Sequence, residues 1–237
     1  MHCVWIPELT EADEHILSEA EMHHVVHVVR ASIGTTMRFT NGKGTTGTCT
    51  LIHQDKKQCR VRIDTRTLHA RSGAPIHVAL GVLHNADRFQ FVLEKLTELG
   101  VHKITPLITD HTEKRHLNLQ KAQAHLIAAV KQSAQPFIPE LTDLAKFLPW
   151  LQVVDKHATA LIAHCHSPHL PLLPQVQGLE QAVVIAIGPE GDFSPNEVQA
   201  AKLAGFRDIS LGDVVLRAET AAISAVVMIH TKRILHV

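Results

Sequence analysis

Three short stretches of the chain carry residue types that could do chemistry. Residues 188–194 read Gly-Pro-Glu-Gly-Asp-Phe-Ser, residues 211–220 read Leu-Gly-Asp-Val-Val-Leu-Arg-Ala-Glu-Thr, and residues 165–169 read Cys-His-Ser-Pro-His. In the first, Gly188 and Gly191 offer positive φ and close approach of a ligand to bare backbone. Ser194-Pro195-Asn196-Glu197 explains its own presence as a capping box with proline at the first helical position. In the second, Arg217, Glu219 and Thr220 stand at the start of an alanine-rich helix. Glu219 suits the helix dipole there, and the small Ala218, Ala221 and Ala222 allow tight packing against a helix or a flat ligand. The third raises zinc, through His164, Cys165, His166 and His169. Zinc motifs space their ligands in two pairs and no second pair is present, so with 19 histidines in the chain chance clustering explains it and no metal is assigned. His23 and His27 share a helix face without the glutamate of a zinc protease motif.

The elements that must position these loops follow from periodicity. The first 70 residues read as β-rich, with strands around Asn41-Gly42, a short helix over residues 19–31, and Cys59, Val61 and Ile63 pointing inward from an alternating strand. Gly42-Lys43-Gly44-Thr45-Thr46-Gly47 matches a dinucleotide fingerprint, but a strand-like stretch follows it, which predicts a hairpin. A boundary falls near residues 71–75, giving domains over 1–72 and 73–237. Beyond it, strands are expected at 76–83, 102–108, 159–164, 181–187 and 208–212. Helices are expected over 87–100, 118–135, 195–205 and 218–235. Alternation of this kind implies α/β architecture with a mostly parallel sheet, whose ligands bind beyond the carboxyl ends of the strands, where all three loops fall.

Composition narrows the classes. Apolar residues make up 45% of the chain, enough for a sizeable core, and no apolar run approaches the roughly 18 residues of a membrane span. The first residues lack a basic segment followed by an apolar one, so no secretory signal is expected. Four scattered cysteines without Cys-x-x-Cys spacing suit a reduced, cytoplasmic protein. Bases and acids balance at 23 each but are unevenly placed. Residues 8–21 hold six acids and no Lys or Arg, and residues 30–71 hold nine bases against two acids. Such a segment is either a footprint for a polyanion or a solvated face balanced by the acidic stretch. Arg30, Lys43, Arg60 and Arg62 are the candidates to grip nucleic-acid phosphates.

Gly-Pro-Glu-Gly-Asp-Phe-Ser, followed about twenty residues later by LG-x-x-x-LR-x-ETA, resembles the RsmE family of 16S ribosomal RNA uracil-N3 methyltransferases, members of the SPOUT class. Residues 23–34 are similar to that family's HH-x-x-x-VLR-x-x-x-G, residues 87–107 to its DR…KATELGV segment, and residues 131–141 to its EQS-x-R-x-x-x-PE segment. The resemblance implies a PUA-like β-barrel that holds RNA, a C-terminal domain with a deep trefoil knot, a homodimer, and S-adenosylmethionine bound largely through loop backbone. Cofactor contacts carried over by motif fall on Ile187, Gly188, Glu190, Gly191, Leu211, Gly212, Val215, Leu216, Arg217 and Thr220. Arg217, Arg88 and Glu219 are the catalytic candidates, with Glu98 a further possible base. The implied partner is 16S ribosomal RNA or the small ribosomal subunit, with no membrane and no DNA. Several positions depart from the family pattern. Asp192 stands where the family usually has Gly, Val214 replaces an Arg, Lys131 and Gln135 replace the Glu and Arg of EQS-x-R, and Leu83-His84 replaces Pro-Lys.

Three other readings are open on the sequence. A non-catalytic RNA-binding protein would need only the basic first module. A SPOUT methyltransferase could act on a different RNA nucleotide. An α/β enzyme could hold a small anion at residues 188–194, though Glu190 and Asp192 oppose that. If the loop glycines make room for a cofactor, Gly188→Val should abolish its binding and leave the fold largely intact.

Overall fold

The computed structural model describes residues 2–167 and 169–235. Its backbone divides into two compact units. One comprises the residues up to Ser72 together with Ile127–Ile138, and the other Gly73–Leu126 together with Pro139 onward.

The first unit carries β1 (Cys3–Trp5), β2 (Glu14–Ile16), α1 (Glu19–His23), β3 (Thr36–Thr40), β4 (Thr45–Gln54) and β5 (Cys59–Leu68). The strands form one sheet in the order β1-β3-β4-β5-β2, antiparallel except for β1 on β3. The Gly-x-Gly-x-x-Gly match is indeed a hairpin. Asn41 accepts hydrogen bonds from the Lys43 and Thr45 amides at 2.8 and 2.9 Å, and Gly42 takes a φ of +65°. Met37, Phe39, Cys49, Leu51, Cys59 and Val61 fill the core, and Ile63 packs against it. α1 runs on through a π-helical turn over His24–Val29 that ends at Arg30 in the left-handed region, φ +54°. Beneath it the buried Glu21 carboxylate accepts from Lys131 Nζ at 2.7 Å and from the Trp5 amide at 3.0 Å.

The second unit alternates strand and helix. It holds β6 (Ile76–Gly81), α2 (Ala86–Glu98), β7 (Lys103–Ile108), the start of α3 (Leu119–Ser133), β8 (Glu140–Leu141), β9 (Ala145–Lys146), α4 (Phe147–Val153), β10 (Thr159–Ala163), β11 (Val183–Ile187), α5 (Pro195–Leu203), β12 (Arg207–Ile209) and α6 (Ala218–Leu235). The sheet order is β12-β10-β11-β6-β7, with β8 and β9 both on β7, and every pairing is parallel. All five residues of β11 are buried, as a strand covered on both faces requires. Phe147, Trp150, Phe193 and Phe206 cluster with Ala79, Leu107 and Ile162 in one core. Phe89, Val92, Leu93 and Leu96 make the buried stripe of α2, which packs against α6. β10 is laid down two places from β6, and β11 later fills the gap. The chain leaving β12 runs beside residues 171–173, joined by the Ser210 amide to Pro171 O at 2.9 Å and the Leu173 amide to Ser210 O at 3.0 Å, before α6 begins. No described helix is long and apolar enough to cross a membrane.

Candidate active site

The carboxyl ends of β10, β11 and β12 lie side by side, so the three loops that follow them meet. Together they enclose a cleft of about 450 Å³. Ala163, Ile187 and Ile209 end the strands that line it. Residues 188–192 form one wall, residues 210–217 the other, and His164 and Cys165 a third edge. Of the residues marked for a cofactor, Ile187, Gly188, Glu190, Gly191, Leu211, Gly212, Val215, Leu216 and Arg217 line this one cleft. Thr220 is exposed on α6 and does not line it. Val214 and Val215 line it with 71% and 83% of their surface open, an apolar rim with none of the described residues over it.

The loop chemistry differs from the expectation in one respect. Neither Gly188 nor Gly191 adopts positive φ; Asp192 does, at +61°. Gly188 is required because a Cβ there would come within 3.0 Å of the Asp192 backbone, and Gly191 because one would reach 2.8 Å from His111 Cβ. Both glycines therefore serve the loop's own packing. Gly188→Val cannot spare the loop while removing only the ligand, because the added atoms strike the returning backbone.

The two acids of the loop are held by backbone amides. Glu190 accepts from the His84 amide with both oxygens, at 3.1 and 3.2 Å. Asp192 accepts from the Cys165 amide at 2.9 Å and from its own neighbour Phe193 at 2.7 Å, so it ties the loop after β10 to the loop after β11. His166 adds a second tie, Nε2 to Phe193 O at 2.6 Å. Ser194 and Glu197 form the expected capping box. Glu197, its pKa raised by burial, also accepts from the Asp110 amide at 3.0 Å.

Two buried polar atoms near the cleft have no hydrogen-bond partner among the described residues, His164 Nε2 and Glu219 Oε2. His164 Nδ1 accepts from the His166 amide at 3.1 Å, so the neutral ring carries its proton on Nε2. Burial lowers the His164 pKa and favours that neutral form, and Asp208 Oδ2, 3.7 Å from Nε2, is too far for a hydrogen bond. Glu219 Oε1 lies 3.8 Å from Arg88 Nε, which joins the first turns of α2 and α6. Arg88 and Arg217 both line the cleft, and the Arg217 side chain has no ion pair or hydrogen bond among the described residues. Glu98 does not join them. It pairs with Lys95 at 2.7 Å in the last turn of α2.

The sequence stretch that raised zinc is partly in the cleft, through His164 and Cys165. No three His, Cys, Asp or Glu side chains among the described residues are grouped to hold a metal, and Pro168 lies outside the described residues.

Residues 70–230 match the family model of an RNA methyltransferase domain, and residues 17–64 that of an RNA methyltransferase PUA domain. The chain belongs to this RNA methyltransferase family. The ribosomal RNA small subunit methyltransferase E of Rickettsia conorii is 25% identical over 90% of this chain and 88% of its own. The Neisseria gonorrhoeae enzyme of the same name, solved bound to S-adenosylmethionine, is 27% identical over 98% of this chain and 97% of its own, with a TM-score of 0.89. A Legionella pneumophila protein solved with the same cofactor is 29% identical over 97% and 96% of the two chains, with a TM-score of 0.87. The RsmE resemblance and the expected fold class, a parallel α/β domain preceded by a PUA-like sheet, agree with these relatives.

Within the family's PUA domain the four bases marked for RNA are differently placed. Arg30 is exposed at the end of the π-helical turn. Lys43 lies 3.7 Å from Glu8, Arg60 3.1 Å from Glu14, and Arg62 3.2 Å from Asp64. Arg66 pairs with Glu11 at 3.2 Å. The acids of residues 8–14 thus stand against the bases of the sheet and cut its local positive field, although exposed pairs are worth only about 0–1 kcal/mol each and open readily.

Cleft-lining residues outside the assigned site set are Ala163, His164, Cys165, Pro189, Asp192, Ile209, Ser210, Val214, Ala218 and Ala221. Each adjoins a motif residue or ends a strand run, so extending every motif to its strand end would have captured them.

Proposed function

We propose that this chain is an S-adenosylmethionine-dependent methyltransferase that modifies N3 of a uridine in 16S ribosomal RNA, on the assembled small subunit, and works as a homodimer in the cytoplasm. The observation that carries the reading is the cleft. Three loops from adjacent parallel strand ends present backbone, an apolar rim and two arginines in one place. Its volume, about 450 Å³, lies within the roughly 300–1,000 Å³ of pockets that hold whole small molecules. The residues fit the cofactor by their chemistry. Val215, Leu216 and Ala218 offer apolar surface to a flat ring, the backbone of residues 188–191 and 210–212 offers amides and carbonyls, and His164 Nε2 is a buried donor still lacking an acceptor. When bound, S-adenosylmethionine supplies an electrophilic methyl group.

The chain's own residues then have separable tasks. Uridine N3 must lose its proton, and the negative charge that develops needs a fixed cation. Arg217 is free to take that charge or an adjoining phosphate. Glu219, buried with one oxygen unpartnered, can accept the proton or hold Arg88 in place. Glu190 and Asp192 fix the loops through amides, so positioning is built in before substrate arrives. Because N3 lies on the pairing edge, the uridine must be unpaired or flipped out when it reaches these groups. The exposed apolar residues Val227, Ile234 and Leu235 on α6 support association with a second copy.

Calorimetric titration with S-adenosylmethionine tests the cofactor assignment. Saturable one-site binding that raises the melting temperature is expected. No binding would leave the RNA-binding alternative as the reading of the PUA domain.

A further inference from the structure

A second concavity lies in the methyltransferase unit, on the other side of the first turns of α2. Arg88 on that stretch lines the cofactor cleft, whereas Ala86, Phe89 and Gln90 line this groove. Its floor is apolar, from Leu83, Phe89 and Leu93. Its rim is Lys114, His116, Lys121 and His125, and no acidic residue lines it. Lys114 and Lys121 have no ion pair among the described residues, unlike Lys43, Arg60, Arg62 and Arg66 of the PUA sheet. Burial and the neighbouring Lys121 charge lower the His125 pKa, while the Glu94 charge acts the other way. Two side-chain amides, Gln90 and Asn118, also line it. Asn118 Oδ1 is occupied by the Lys121 amide at 2.9 Å, which leaves its NH2 group to donate.

We propose that this groove is an RNA subsite, holding one unpaired base beside the target nucleotide while Lys114 and Lys121 take the flanking phosphates. The inference rests on the methyltransferase reading above and adds to it. The groove measures about 150 Å³, well below the roughly 300 Å³ at which pockets begin to hold whole small molecules. It therefore suits a fragment of a larger ligand. An apolar floor takes a base face, amides read a base edge, and lysines take phosphate, the combination by which single-stranded RNA is recognised. The groove adjoins the turn that carries Arg88, so an RNA strand presenting a uridine to the cleft would reach it with a neighbouring nucleotide. A protein ligand has no comparable claim, since nothing in the groove selects a peptide over a polyanion.

The test is the Lys114→Gln/Lys121→Gln double variant of the full chain. Lys146→Gln/Lys156→Gln, which removes the same charge around α4, is the control. Affinity for small ribosomal subunits from cells lacking this protein is measured across a salt series at fixed magnesium, and S-adenosylmethionine affinity is measured separately. The groove variant should bind RNA about tenfold more weakly. The salt slope should fall by about 1.4, since each single-strand phosphate contact contributes about 0.7, and cofactor affinity should not change. If the groove variant loses no more RNA affinity than the control, the subsite is overturned while the methyltransferase reading stands. If the unaltered chain binds the cofactor but no small subunit, the subsite and the ribosomal RNA assignment both fail.

Discussion

Substitutions at Asp192 separate two effects that this residue combines. Its backbone sits at φ +61°, where a side chain is strained, and its carboxylate holds the Cys165 amide at 2.9 Å across two loops. A hydrogen bond to a charged group contributes about 1.5–3 kcal/mol, and left-handed backbone costs a non-glycine residue about 1–2 kcal/mol, less for Asp. Asp192→Ala keeps the strain and loses the bond. If residues 164–166 must sit against the 188–192 loop for the cofactor to bind, about 2 kcal/mol is lost, a roughly 30-fold weaker Kd. Asp192→Gly, the residue usual in the family, loses the same bond but recovers about 1 kcal/mol of strain, leaving a loss near fivefold. Asp192→Asn keeps an acceptor and tolerates the conformation, so it should stay within a few-fold of the native chain. Calorimetry gives the affinities. Hydrogen exchange at the Cys165 amide, which should quicken in the Ala and Gly variants and least in Asn, reports the bond itself. Equal affinities for the Ala and Gly variants would refute the strain argument. An unchanged Cys165 exchange rate would refute the clamp.

Three further outcomes are expected. Lys131→Met leaves the Glu21 carboxylate buried without its cation and should destabilise the PUA unit by about 3 kcal/mol; adding Glu21→Gln should restore part of that, both read by urea denaturation. His77, whose pKa burial and then Lys103 depress from 6.5 to about 4, is neutral when folded and binds a proton more readily unfolded. Its contribution is therefore complete above pH 6.5 and lost as pH falls through the range between 6.5 and about 4. Between pH 7 and 5 the native chain should lose about 2 kcal/mol more than His77→Gln, and equal losses would show that His77 is not the group responsible. Glu219→Gln should lower single-turnover methyl transfer by about 10²–10⁴-fold if the carboxylate takes the proton, with cofactor affinity unchanged. A rate within threefold of native would leave Glu219 a structural partner of Arg88.

Much of this was legible in the residues, because the relevant signals are local. The buried strands at 76–81, 159–163 and 183–187 are apolar runs interrupted only by His77 and Thr159, and the Ser194–Glu197 cap is written in four neighbouring residues. The turn at Asn41-Gly42 was equally plain, and it disposed of the false dinucleotide fingerprint. What escaped depends on distance along the chain. The acids of residues 8–14 read as a separate acidic stretch until the sheet brings Glu11 to Arg66 and Glu14 to Arg60. Residues 127–138 look like the continuation of a helix, yet they group with the first unit. β8, β9 and α4 are too short to show a period. The place of β11 between β6 and β10, like the knot implied by the family resemblance, concerns the order in which strands are laid down, which no residue pattern records. In the candidate site, the motifs fall on loops that line one cleft, but Gly188 and Gly191 do not take the positive φ expected of them. The left-handed residue is Asp192, and a glycine usual at that place in the family was the signal that could have located it.

The measurement that bears most directly on the central claim is methyl transfer from labelled S-adenosylmethionine to small ribosomal subunits from cells lacking this protein, followed by nucleoside analysis. The account predicts label in 3-methyluridine, lost when Arg217 is replaced by alanine. Label in any other nucleoside, or none from a chain that demonstrably binds the cofactor, would contradict it.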